Sequence, residues 1–164
     1  MKLQLFILFM MATLMMSSPA QAQNEAPKGK LIYCSYSCSR PAMGGKDYCE
    51  LIADEGQKPR VVVSLYNNCR WHEPLQREFE VTALDVAKMQ KLLVELQVWR
   101  INGYRHDEML DGAPTFRIYQ EYASGEKFDA SWSGQDIDPD ARDAYQYIAE
   151  YFSLWRDLVD DREH

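Results

Sequence analysis

The sequence predicts an α+β domain: an antiparallel sheet, built from a four-strand meander and a later hairpin, with two helices packed on one face. Three observations predict it. Short β-forming runs recur between turn residues from Leu31 to Val81. Two later segments carry apolar residues at three- and four-residue steps. Each of those segments opens on a residue suited to cap a helix.

The strands come first. Leu31 to Ser39 (LIYCSYSCS) alternates and carries β-forming aromatics, and Arg40-Pro41 with Gly44-Gly45 supplies a turn. Asp47 to Ala53 (DYCELIA) is the second strand, ended by Asp54-Glu55-Gly56. Arg60 to Tyr66 (RVVVSLY) is the third, and its continuous Val run predicts burial on both faces. Asn67-Asn68 ends it, and Arg77 to Val81 is a short fourth strand after Pro74.

Thr82 then opens a helix. Its hydroxyl is placed to cap the amide of Asp85, whose carboxylate can reach back, a weaker form of the capping box. Val86, Met89, Leu93 and Leu96 make one apolar stripe, and Gly103 lies beyond the helix end. Asp111-Gly112 is a turn before the strand Thr115 to Tyr122 (TFRIYQEY), in which Phe116, Ile118 and Gln120 share a face. Ser124-Gly125-Glu126 turns the chain into a hairpin partner, Lys127 to Trp132. Asp138 as cap and Pro139 at the first position start the last helix, with the stripe Ala141, Ala144, Tyr145, Ile148, Phe152, Trp155 and Val159. No repeat or linker divides residues 30–159, and the charged tail 160–164 follows.

The N-terminus has the three parts of a secretory signal. Lys2 precedes an uncharged run from Leu3 to Met16, and Ala20-Gln21-Ala22 offers small residues two apart. That run is about 14 residues, short of the ~20 a membrane-spanning helix needs. Cleavage is expected after Ala22, leaving residues 23–29 as a polar, disordered lead-in. The expected location is periplasmic or secreted, with no membrane attachment once the signal is removed.

The 164-residue chain has a net charge of −7, and loss of Lys2 makes the remainder one charge more acidic. Such a balance argues against nucleic acid, whose phosphates demand clustered Lys and Arg. Ten Tyr and four Trp could line a binding face or pack a sheet, so composition alone does not choose.

Four cysteines, Cys34, Cys38, Cys49 and Cys69, in an exported chain favour disulfides over zinc, because their spacings of 3, 10 and 19 intervening residues lack tight pairs. A hairpin centred between Met43 and Gly44 would set Cys38 opposite Cys49, within bridging range. Cys34 and Cys69 would then pair with each other or stay reduced.

The constellations that could carry chemistry are incomplete. Asp136, Asp138 and Asp140 alternate as in a calcium loop, but Ala141 and Tyr147 stand where Gly and Glu are required. His72 and His106 each have acidic neighbours without a metal-ligand spacing. Ser131-Trp132-Ser133-Gly134 lacks the first Gly of a nucleophile elbow. Gly44-Gly45-Lys46 lacks the remainder of a phosphate loop. No catalytic residue, metal or cofactor is therefore assigned.

Tyr33 to Gly45 (YCSYSCSRPAMGG), together with Leu110-Asp111-Gly112, Phe116, Tyr122, Gly125, Trp132 and Gly134, resembles a pattern in small uncharacterised bacterial exported proteins. In those, a Tyr/Ser strand leads to a Met-Gly turn, and a later D-G turn opens an aromatic hairpin. Where such a hairpin often carries Trp, this chain has Phe116, preceded by Pro114. The resemblance implies a bacterial α+β domain with no established activity and transfers no functional residue.

The expectation is a non-enzymatic module that binds a protein, peptide or glycan of the cell envelope, with Trp71, Tyr119, Tyr122 and Trp132 as its aromatic face. The alternatives are an enzyme inhibitor presenting the loop from His106 to Pro114, and a hydrolase built on His72 and His106.

Overall fold

The computed structural model describes residues 25–40, 45–66, 74–108, 112–134 and 137–160, without the side chains of Arg40 and Asp160. The expected signal segment and its cleavage point at Ala22 lie outside these residues, as do Trp71, His72 and Cys69. Among the described residues no helix is long and apolar enough to cross a membrane.

The chain forms the expected α+β architecture. Strands β1 (Leu31–Arg40), β2 (Gly45–Ile52), β3 (Arg60–Leu65) and β4 (Leu75–Glu80) make the meander, and helix α1 (Ala83–Glu95) follows. A 3-10 turn at Val98–Ile101 leads to β5 (Arg105–His106), the hairpin β6 (Thr115–Tyr122) and β7 (Lys127–Ser133), and α2 (Pro139–Asp160). All seven strands join one open sheet in the order β4-β3-β2-β1-β6-β7-β5. Every pairing is antiparallel except β5 with β7. Two features go beyond the sequence expectation. β1 is interior, because the later hairpin docks on it through β6. The stretch around His106, expected as loop, adds a two-residue parallel strand to β7.

Both helix starts are capped as their residues dictate. Thr82 Oγ1 accepts the Asp85 amide at 3.3 Å, and the Thr82 amide donates to Asp85 Oδ2 at 2.9 Å, so the reciprocal box is complete. Asp138 Oδ1 accepts the amides of Asp140 and Ala141 at 2.9 and 3.3 Å. Its carboxylate thus serves as a helix cap; Asp136, the first residue of the calcium-like run, lies outside the described residues.

The core lies between one face of the sheet and the helices. Val86, Met89 and Leu93 of α1 meet Ala141, Ala144, Ile148 and Phe152 of α2 over Leu31, Cys34, Leu51, Val61, Val63 and Ile118. A register shift between Leu31 and Tyr33 lets Leu31 and Cys34, three residues apart, both face this core. Val61, Val62, Val63 and Ser64 of β3 are all buried, so that strand is covered on both faces.

The expected cysteine bridge is corrected by the β1–β2 register. Cys38 pairs with Asp47 and Cys49 with Tyr36, so the two cysteines are diagonal neighbours. Diagonal α-carbons lie about 7–8 Å apart, beyond easy bridging. The pairing axis of the two strands falls one residue before the expected centre between Met43 and Gly44, because Gly45 belongs to the strand, opposite Arg40. There it lies beneath the Tyr66 ring, where an added Cβ would come within 2.0 Å of Cδ1. Cys34 and Cys49 are free, buried thiols, and no disulfide forms among the described residues.

Candidate functional site

The face of the sheet away from the helices is the candidate site, and β1 defines it. Cys34, Tyr36 and Cys38 point beneath the helices, whereas Tyr33, Ser35 and Ser37 point the other way and are half-buried. Register fixes their neighbours: Ser35 lies between Glu50 of β2 and Tyr119 of β6, and Ser37 between Tyr48 and Arg117. Short serines flanked by long side chains hollow the sheet along β1. The resulting concavity has a volume of about 490 Å³, with Ser35 and Ser37 on its floor and Tyr48, Glu50, Arg117 and Tyr119 as walls.

The walls are held by a polar network. Tyr33 Oη donates to Glu50 Oε2 at 2.5 Å, and its ring meets that of Tyr119 edge-on, with centroids 5.9 Å apart. Tyr119 donates to Glu121, which also accepts from Lys127 Nζ at 3.0 Å. Arg117 grips Asp129 with two bonds of 2.8 and 3.0 Å, and Arg105 holds the same carboxylate at 2.7 Å. The Arg117 guanidinium also lies over the Tyr119 ring, 5.3 Å from its centroid.

The ionisable groups respond to these contacts. Burial, and then the bond to Glu50, raises the Tyr33 phenol above its ordinary value. The bond to Glu121 raises Tyr119, and the same bond with Lys127 lowers Glu121. Burial works to raise the Asp129 carboxyl, but Arg117 and Arg105 outweigh it and hold it below the usual range. The face is therefore charged and ordered at neutral pH, with tyrosine hydroxyls fixed as donors.

The four aromatics expected at a binding face separate. Tyr119 lines the concavity. Tyr122 and Trp132 are each 2 % exposed and belong to the core beneath the helices. Trp132 packs against Phe116 and Tyr145, with centroids 6.0 and 5.9 Å away, and Tyr122 against Phe128 at 5.5 Å. Alternation carries the reason: Tyr122 falls in phase with Ile118, and Trp132 with Phe128 and Ala130. Trp71 lies outside the described residues. The residues not singled out from sequence are Tyr33, Ser35, Ser37, Glu50 and Arg117. The signal for Ser35 and Ser37 was the Cys/Ser alternation of CSYSCS, which puts small polar residues together on one side of a strand; Glu50 and Arg117 join them only through strand pairing.

A second polar group sits beside β5 and β7. His106 Nε2 is 3.5 Å from Glu108 Oε1, and its ring stacks on Tyr104. Ser133 Oγ donates to Asp107 Oδ1 at 2.7 Å. The serine therefore donates to a carboxylate and not to an imidazole, which is not the order of a nucleophile and its general base.

No model of a known protein family matches the chain, and no curated protein is similar to it.

Proposed function

We propose that this chain is an exported, non-enzymatic binding module of the bacterial cell envelope, and that its ligand lies along β1 on the open face of the sheet. One observation carries the reading. The face that no described helix covers is a concavity walled by tyrosines and charged side chains that hydrogen bond to one another. A merely solvated sheet face needs neither the hollow nor the fixed donors. Aromatic walls supply contact area with little conformational entropy to lose, and the serine floor supplies adaptable hydrogen bonding. Among the described residues, the thiols Cys34, Cys38 and Cys49 lie on the opposite, buried side, where burial pushes Cys49 up to about 11 and Cys34 to about 12.

The test is an amide NMR titration of the secreted chain, without its signal segment, against soluble envelope fragments: short peptides, peptidoglycan pieces and neutral oligosaccharides. Saturable shifts confined to open-face residues of β1, β2 and β6 are expected. Saturable shifts centred on His106 and Ser133 would overturn the reading, as would a panel that moves no open-face amide.

A further inference from the structure

The five charged residues that line the concavity sort by sign along β1. Lys46 pairs with Ser39 and Arg117 with Ser37, so both cations stand at the β1 C-terminal end. Glu50 pairs with Ser35 and Glu121 with Tyr33, and Asp54 lies beyond Ile52, so the carboxylates stand at the N-terminal end. The middle of each sign group is about four β1 residues from the other, or roughly 13 Å at the rise of a strand. A hollow positive at one end and negative at the other, with a floor of hydroxyls and walls of rings, is complementary to an extended dipolar chain.

Resting on the binding reading above, we propose that the ligand is a short extended peptide with free termini. Its carboxylate sits at Lys46 and Arg117, and its ammonium at Glu50 and Glu121. About four residues of extended chain span the distance. Arg117 is shared with Asp129, whereas the Lys46 ammonium is exposed and enters no ion pair with another described residue. Lys46 is therefore the cation most open to a new anion. The Ser35 and Ser37 hydroxyls face the peptide's amide groups, and Tyr48 and Tyr119 flank its side chains.

The deciding experiment titrates the same protein with tetra-alanine, its N-acetyl form, its C-terminal amide, and a neutral tetrasaccharide. Free tetra-alanine is expected to shift Ser35 and Ser37, and blocking either terminus to weaken it by about fivefold, the size of one partly exposed ion pair. Lys46→Gln should erase the difference between the acid and the amide while keeping that between the amine and its acetyl form. Glu50→Gln, which can still accept from Tyr33, should do the reverse. Equal affinity for free and blocked peptides, or binding of the tetrasaccharide alone at the same amides, overturns the dipolar peptide and leaves the binding face standing. Shifts at no open-face residue with any probe overturn both.

Discussion

The two faces of the sheet use the same residue types to opposite ends. Tyr36, beneath the helices, is buried against Tyr145 and Phe152, with ring centroids 5.3 and 5.5 Å away. Tyr33, three residues earlier on the same strand, stands on the open side with its hydroxyl on Glu50. Tyr122 and Tyr119 repeat the contrast on β6. The difference teaches that an aromatic residue on a strand has its role set by parity, not by identity. One side contributes apolar area to the core, and the other leaves hydrogen-bonded hydroxyls and rings on the open face.

The largest effect should come from breaking the covered face. Phe152 is fully buried and touches Tyr36, Tyr151 and Trp155. Phe152→Ala should cost about 3–5 kcal/mol in urea unfolding, from lost transfer energy and an unfilled cavity. Tyr119→Ala on the open face should cost less than about 1 kcal/mol. Comparable costs for the two would mean that the open face is part of the fold's support, and the contrast between the faces would collapse.

The next effect concerns the thiols of the covered face. Burial pushes Cys34 up to about 12, against about 8.5 for a free thiol. The native state therefore keeps its proton longer than the unfolded chain does. This contribution to stability is intact below about pH 8.5 and is lost as pH rises toward the folded value, at up to about 1.4 kcal/mol per pH unit. Urea midpoints between pH 8 and 10 should fall less steeply in Cys34→Ala than in the parent. Parallel slopes would place that thiol in solvent and contradict its burial.

Much of this contrast could be read from the sequence, and the unreadable part has a definite cause. Helix stripes and caps are local, so Thr82, Asp138 and the positions from Ala141 to Val159 fell where expected. The strand alternation of TFRIYQEY is also local, and it already separated Ile118 from Tyr119. The docking of β6 onto β1 and of β5 onto β7 is long-range, and no turn residue encodes it. Without that pairing Ser35 and Ser37 have only one wall, so the concavity could not be seen. The β1–β2 register failed for a related reason: Gly45 looked like a turn residue, while its actual use is close contact with Tyr66, twenty-one residues further along the chain. The same non-local packing decided the fate of Cys38 and Cys49.

A smaller effect sharpens the comparison at the rim of the covered face. Thr82→Ala removes the hydroxyl that accepts the Asp85 amide and should cost about 1 kcal/mol. Thr82→Asn, which retains a side-chain acceptor, should restore most of it. If both variants unfold at the same urea concentration, tertiary contacts and not the cap hold the start of α1.

The smallest expected change in stability belongs to the open face itself, and its smallness is informative. Glu121 is held below the usual carboxylate range by the bond from Tyr119 and then by Lys127. A lowered carboxyl stabilises the fold above its unfolded value of about pH 4.3, and the benefit is lost as pH falls through the lower folded value. The group is solvent-accessible, so screening limits the benefit to no more than about 0.5 kcal/mol, and added salt should reduce it further. Glu121→Gln should flatten the acid limb of the stability profile only slightly, as thermal unfolding between pH 3 and 6 would record. If the face serves ligand binding, the same substitution should weaken an amine-bearing ligand by a larger factor than it weakens folding. A side chain that matters more to the ligand than to the fold is what separates the open face from the covered one. An acid limb that shifts strongly in Glu121→Gln, with binding unchanged, would assign Glu121 to the scaffold instead.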